Sequence, residues 1–111
     1  HSPAILNENF SLKHDPDVFL AGQISGVEGY LESVWSGLIT ARCLSENLQM
    51  LPEESMSGQI WRFLLRPGQN FQPVNANFGL LPPLDRIIRD KKAKKAELSE
   101  RALTSLRKFI Q

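Results

Sequence analysis

The feature that most constrains the fold of this chain is a glycine-rich segment directly after a short apolar run. Val18, Phe19 and Leu20 read as a buried strand, and residues 21–33 continue as AGQISGVEGYLES. A strand that ends in glycines and continues as an amphipathic helix places the unpaired N–H groups of that helix at the carboxyl edge of the strand. Such a helix terminus suits a phosphate, a carboxylate or an oxygen that gains negative charge.

The glycines of this segment are the first candidate ligand-binding residues. Gly22, Gly26 and Gly29 lack the side chains that would hold a flat ligand away from the backbone. Gly29, Ser33 and Gly37 also recur at helical spacing, which predicts a narrow groove along one helix face. On the pattern alone we favour close packing of the helix on a sheet, because a short glycine motif is weak evidence for a binding site.

Charge and composition limit the kinds of partner. The chain has 111 residues, which suits one domain, and its 13 Lys and Arg side chains nearly balance 12 Asp and Glu side chains. Net charge therefore gives no reason to expect nucleic acid, but a dense basic run exists at Arg86, Arg89, Lys91, Lys92, Lys94 and Lys95. For this run we favour a solvated helix face over RNA contact.

Cysteine count, hydropathy and the first residues indicate the compartment. Cys43 is the only cysteine, and no apolar run approaches the roughly 20 residues of a membrane span. No signal peptide opens the chain, so we expect a cytoplasmic location and no membrane partner. Two histidines, His1 and His14, are too few to indicate a metal site. The missing initiating Met and the apolar start suggest that the chain is cut from a longer protein.

The overall pattern predicts a mainly helical chain with a few short amino-terminal strands. Short extended pieces are expected within Ile5–Leu12, a turn at His14–Asp17 and a strand at Val18–Ala21. A helix is predicted over Val27–Glu46. Its predicted buried face comprises Leu31, Val34, Trp35, Leu38 and Ala41.

Residues 47–111 are predicted to form a helical carboxy-terminal region. Ser55 or Ser57 can cap a helix that runs to about Arg66, where Pro67 and Gly68 end it. Residues 68–83 have no periodicity, and their apolar side chains, including Phe71, indicate an ordered loop. Beyond this loop, Asp85 is expected to cap a long helix to Ile110. The buried residues of these two helices are predicted to include Ile60, Trp61 and Leu64 in the first and Leu98 and Leu106 in the second.

Several blocks of the sequence resemble one protein family. The segment AGQISGVEGYLES is similar to the final flavin-binding motif of the folate- and FAD-dependent tRNA (uracil-5-)-methyltransferases, relatives of the GidA flavoproteins. The opening HSPAIL resembles the segment that precedes that motif. Later blocks of the family are matched by FQPVNANFGL at residues 71–80 and ERAL at residues 100–103. The resemblance spans almost the whole chain in the order of the family.

The resemblance implies a carboxy-terminal fragment of a longer enzyme. Residues 1–46 would be the last strands, the glycine-rich turn and a helix of a glutathione-reductase-like FAD-binding α/β fold. Gly22 and Gln23 would lie by the ribityl chain, and the backbone near Gly29 would face the pyrimidine edge of the flavin. The implied cofactor-binding residues are Gly22, Gln23, Gly26, Val27, Glu28 and Gly29.

Other polar residues have weaker assignments. Gln72, Asn75 and Asn77 are candidates for contact with folate or substrate, because amides read ring edges without charge, but Asx-type turns explain them equally well from the residues alone. For Glu32 we favour interaction with the helix dipole, and the role of Glu28 stays open. No catalytic residue is expected in this fragment.

The implied activity of the full-length enzyme is the formation of 5-methyluridine in the T loop of tRNA. The carbon would come from 5,10-methylenetetrahydrofolate, and FAD would carry reducing equivalents from NAD(P)H. Alternatives are a ribosomal RNA uracil methyltransferase, a GidA-like wobble-uridine enzyme and a non-enzymatic helical interaction module. Alone, the fragment is expected to be inactive and to self-associate through uncovered apolar surface.

Overall fold

A computed structural model of the chain describes residues 2–66 and 72–110. Within these ranges the fold is mostly helical with one small antiparallel sheet, which confirms the predicted balance of helix and strand. The elements in chain order are α1 (Ser2–Ile5), β1 (Ser11–Leu12), β2 (Asp15–Phe19), α2 (Tyr30–Glu46), α3 (Met56–Leu65) and α4 (Lys91–Ile110). Short 3₁₀ turns lie at Gly22–Ser25 and Phe78–Leu80.

The amino-terminal region differs from its prediction in two places. The segment Ser2–Ile5 is a helical turn, since Pro3 is tolerated in a first helical turn, so Ile5 is helical instead of the start of the predicted extended pieces. The strand predicted at Val18–Ala21 begins earlier, at Asp15, and ends at Phe19, so much of the predicted turn at His14–Asp17 is strand. Pro16 fits there because a two-stranded sheet consists only of edge strands.

One hydrophobic core joins the two halves of the chain. Trp61 packs against Phe10 with ring centroids 5.4 Å apart, and its indole N–H donates to the Glu8 carbonyl at 2.7 Å. The buried cluster draws on residues before and after Glu46, and it comprises Leu6, Phe10, Val27, Ile39, Cys43, Leu51, Ile60, Trp61, Leu64 and Val74. The glycine-rich turn is therefore supported by side chains from the whole fold.

Helix α2 presents a different face to the core than predicted. Leu31, Val34 and Leu38, expected inside, are 74%, 60% and 59% exposed. The buried side chains of α2 are Ser36, Ile39, Thr40 and Cys43, and Trp35 is partly buried against the core. The helix also begins at Tyr30 instead of Val27, because Val27 pairs with another segment and Gly29 precedes the first turn.

Helix α3 follows its prediction closely. Of the two proposed caps, Ser55 is the one used: its hydroxyl accepts the N–H of Gly58 at 2.9 Å. Ile60, Trp61 and Leu64 are buried as expected. The predictions at Pro67, Gly68 and Phe71 fall outside the described residues.

Helix α4 begins six residues later than Asp85, at Lys91. Asp90 provides the cap, since its carboxylate accepts the N–H of Ala93 at 3.1 Å. Arg101 donates to the carbonyls of Pro82 and Pro83, which keeps the preceding segment outside the helix. The first six residues of α4 are all exposed, so this end of the helix extends beyond the core. No helix in the described ranges is long and apolar enough to cross a membrane.

Candidate functional site

The three glycines of the turn all need backbone geometry that other residues resist. The φ angles of Gly22, Gly26 and Gly29 are +78°, +110° and +98°. These values lie in the left-handed region, where a Cβ is disfavoured. Glycine is therefore required here for local conformation, whatever binds nearby.

Two buried serines fasten the turn to α2. The N–H of Gly22 donates to Ser36 Oγ at 3.0 Å, and Ser25 Oγ donates to the Gly22 carbonyl at 2.7 Å. The two hydroxyl oxygens lie 3.3 Å apart, and neither side chain is exposed to solvent. The sequence pattern did not predict the Ser25–Ser36 pair. Its only signal is a serine on the inner side of an apolar helix.

The start of α2 leaves its first N–H groups open. Within the described residues, Gly29 at the cap position offers no side chain, and no other side chain caps the helix. An open cleft of about 550 Å³ adjoins this end of α2. Its lining combines the predicted flavin residues with the first turns of α2 and comprises Gly22, Gln23, Gly29, Tyr30, Ser33 and Val34. The cleft therefore combines open space with the positive end of a helix dipole.

A distant segment completes the site. Val74 pairs with Val27 in a parallel bridge: its N–H donates to the Gly26 carbonyl at 3.0 Å, and its carbonyl accepts the N–H of Glu28 at 2.8 Å. Both predicted groups, the glycine-rich turn and residues 72–77, thus meet at one place. The sequence did not predict this pairing, because neither segment contains a local signal that identifies the other as its partner.

Glu32 holds this segment to the helix. One carboxylate oxygen accepts the N–H of Ala76 at 3.0 Å across 44 residues of sequence. Glu32 does lie in the first turn of α2, as the dipole interpretation requires, and it has this second contact in addition. Asn77 donates its amide to the Asn75 carbonyl at 3.2 Å, an Asx-type contact within the segment.

The surroundings of Gly22 and Gly29 differ, and this difference indicates which of the two positions has room for a flat cofactor. A Cβ built on Gly29 would meet the carboxylate of Glu32 and lie 2.6 Å from Asn75 Oδ1. A Cβ built on Gly22 would meet nothing within 4 Å. The surface at Gly22 is therefore free to receive a ligand, while a side chain at Gly29 would have to displace the ends of the Glu32 and Asn75 side chains.

The remaining predicted site residues divide between core and surface. Val27 is buried and does not line the cleft, and the Glu28 N–H already donates to the Val74 carbonyl. Glu28, Gln72 and Asn77 are exposed. The cleft thus narrows the ligand-facing set to Gly22, Gln23 and the first turn of α2.

Cys43 is a core residue. Its side chain is 5% exposed, and burial, assisted by the negative charge of Glu8, raises the pKa of its thiol. A raised pKa lowers the thiolate fraction that a nucleophile needs. In the part of the chain that the structure describes, no three His, Cys, Asp or Glu side chains come together as a metal site would require.

Comparison with known proteins identifies relatives along the whole chain. The family profile described as glucose inhibited division protein A matches residues 1–52. The entire chain is 42% identical to the methylenetetrahydrofolate–tRNA-(uracil-5-)-methyltransferase TrmFO of Thermotoga petrophila and 44% identical to the protein of the same name from Halalkalibacterium halodurans. Over its whole length the chain is therefore similar to a part of these TrmFO proteins. A third such protein, from Staphylococcus carnosus, is 41% identical.

The matched region is a limited part of the relatives. The chain spans 27% of the length of these TrmFO proteins. Both segments that meet at the cleft lie inside the alignment, which covers 100% of this chain.

Proposed function

We propose that this chain supplies part of the flavin site of an enzyme that forms 5-methyluridine in tRNA. The single observation that carries the proposal is 39% to 44% identity, over the whole chain, to proteins named for that activity. Those names favour tRNA over ribosomal RNA as the substrate, and they specify uracil carbon five and methylenetetrahydrofolate. Nothing in the described site favours the non-enzymatic alternative.

The open end of α2 is the proposed contact with FAD. Gly22 and Gln23 would lie along the ribityl chain, and the free N–H groups of the first turn would face the pyrimidine edge of the flavin ring. The positive dipole end of the helix stabilises negative charge at that edge. FAD, when bound, would carry electrons from NAD(P)H to complete the methyl group.

Residues 72–77 are proposed to form the adjoining wall, on the side where folate or uracil would lie. Asn75 is held against Gly29, and Glu32 fixes the backbone at Ala76. Amide side chains there can read a heterocycle edge by hydrogen bonds without adding charge. The role of these residues would be binding and orientation.

The larger organisation also remains a proposal. Residues 1–46 would close a glutathione-reductase-like FAD-binding fold, and residues 47–111 would form the helical carboxy-terminal region; the end of the family match at residue 52 supports this division. We also propose a cytoplasmic location. The 111-residue chain alone should bind FAD poorly and transfer no methyl group, because it spans only 27% of its relatives.

The test fills the cleft in the complete enzyme that carries this segment. Gln23→Trp should reduce the flavin retained per protein and the 5-methyluridine formed in a tRNA transcript, because Gln23 lines the cleft. Gln49→Trp, at a position that is also exposed and lies outside that cleft, is the control. Equal flavin content in the two variants would reject the proposed site.

A further inference from the structure

The basic run lies at an unfavourable place in α4. Lys91, Lys92, Lys94 and Lys95 are all within the first five residues of the helix, and its first turn contains no acidic residue. Cations at a helix amino terminus interact unfavourably with the macrodipole, whereas lysines near the carboxy terminus interact favourably with it. Helix stability therefore does not explain this cluster.

All four lysines are exposed, and three of them share a helical face with the buried Leu98. Lys91, Lys94 and Lys95 precede the buried Leu98 by seven, four and three residues, the spacings that place side chains on one helical face. The opposite side carries Ala93 and Glu100.

A direct contact connects this basic surface with the candidate site. The ammonium group of Lys95 lies 5.6 Å from the ring centroid of Phe78. Phe78 follows Asn77 immediately and is 38% exposed. Through this contact the basic surface continues into the segment that Glu32 and Val27 hold beside the cleft.

The positive charge is concentrated here. Six of the 13 Lys and Arg side chains of the chain fall within residues 86–95, where Asp90 is the only acidic residue. Arg86 pairs with Glu97, and Lys95 lies over Phe78, which leaves four further exposed cations at Arg89, Lys91, Lys92 and Lys94. A row of exposed cations beside an accessible aromatic ring suits the phosphate backbone of RNA.

We propose that the exposed start of α4, with Lys91, Lys92, Lys94, Lys95, Arg89 and Phe78, is an RNA-docking surface that directs a bound strand toward residues 72–77. This inference rests on the proposed function for the relevance of RNA, and it reverses the preference for a solvated face. The surface recognises phosphates and supplies no base specificity by itself.

The test measures binding of the 111-residue chain to a fluorescent T-arm hairpin by anisotropy over a salt series, without flavin or folate. The variant K91Q/K92Q/K94Q/K95Q is compared with K13Q/R42Q/R107Q/K108Q, which removes the same charge from exposed sites elsewhere. We expect at least a tenfold loss of affinity for the first variant and less than a threefold loss for the second. The slope of log Kd against log salt should fall by about 0.7 for each phosphate contact removed.

Two further readouts keep the result interpretable. Because the lysines oppose the dipole, their removal should leave the midpoint of thermal unfolding equal or higher, which excludes unfolding as the cause. A photoreactive group on Asn77→Cys should cross-link the hairpin, whereas one on Ser45→Cys should not; the native Cys43 is buried from the reagent.

Several outcomes would overturn the proposal: equal losses in both variants, no cross-link at residue 77, or tight binding to vesicles of anionic lipid with none to RNA. These measurements do not involve the flavin. RNA binding could therefore fail while the Gln23→Trp result stands, and the reverse combination would reject the flavin site alone.

Discussion

Helices α2 and α3 bury different kinds of side chain in the same core. Helix α3 buries its large side chains, Ile60, Trp61 and Leu64, while α2 buries Ser36 and exposes Leu31 and other apolar residues. The same rule of apolar periodicity predicted both helices. The rule was correct for α3, because other parts of this chain cover the apolar face of that helix. In α2 the apolar stripe marks a face that this chain does not cover.

The part of α2 that meets the glycine-rich turn has the small polar side chains Ser36 and Thr40 for a local reason. It must approach the glycine-rich turn closely enough for Ser36 to accept the N–H of Gly22 and for Thr40 to donate to the Leu20 carbonyl at 3.3 Å. Leucines on that face would hold the turn away. The contrast teaches that α3 contributes stability through apolar volume, and α2 contributes through the geometry of a site.

The largest effect is expected in α3. Trp61→Ala should lower the free energy of unfolding by about 3–5 kcal/mol, because it empties the centre of the core and removes the bond to Glu8. Urea unfolding followed by circular dichroism measures this loss. The control Trp35→Phe, which gives up one hydrogen bond to Ser57 at 2.9 Å, should cost about 1 kcal/mol. Similar losses for both would contradict a core centred on α3.

A polar residue should matter most in α2. Ser36→Val replaces the hydroxyl by two methyl groups, which leaves the buried Gly22 N–H without its partner and adds volume to a fully buried position, so we expect a loss of about 1–3 kcal/mol. Ser45→Val, exposed on the same helix, should change stability by less than about 0.5 kcal/mol. A stabilised Ser36→Val variant would mean that α2 has an ordinary apolar inner face.

Particular residues show how far the sequence could predict this fold. Ser55 was readable as a cap and Gly22, Gly26 and Gly29 as turn glycines, because those demands are local. The late start of α4 was not, since it depends on where Asp90 and Arg101 find partners. The meeting of Val27 with Val74 depends on tertiary packing, which periodicity does not encode.

The contact between α2 and residues 72–77 should have a smaller effect. Glu32→Ala removes the acceptor of the Ala76 N–H, which we expect to cost about 1 kcal/mol and to speed hydrogen exchange at that amide several-fold. Glu32→Gln retains an acceptor oxygen and should restore most of the protection. Glu28→Ala alters a neighbouring exposed carboxylate and serves as the control. Unchanged exchange in Glu32→Ala would remove Glu32 from the site.

The smallest change in stability is expected at two α2 positions that the sequence pattern predicted to be buried. We propose that the isolated 111-residue chain self-associates through the apolar face of α2, since Leu31 and Leu38 are exposed together with Tyr30 and Val34. The double variant Leu31→Gln/Leu38→Gln should therefore change the free energy of unfolding by less than about 0.5 kcal/mol per monomer, measured where the protein is dilute. At high concentration the same variant should sediment as a smaller species than the unchanged chain.

The matched pair on α3 makes that prediction decisive. Ile60→Gln/Leu64→Gln introduces the same chemistry at two positions of one helical face, but both positions are buried, so the chain should unfold. If the α2 variant instead lost several kcal/mol, Leu31 and Leu38 would be core residues and the two helices would not differ. If it kept its stability and its size in sedimentation, the exposed face would exist without joining two copies. Only one outcome supports self-association through the apolar face of α2: the α2 variant keeps its stability and sediments as a smaller species than the unchanged chain.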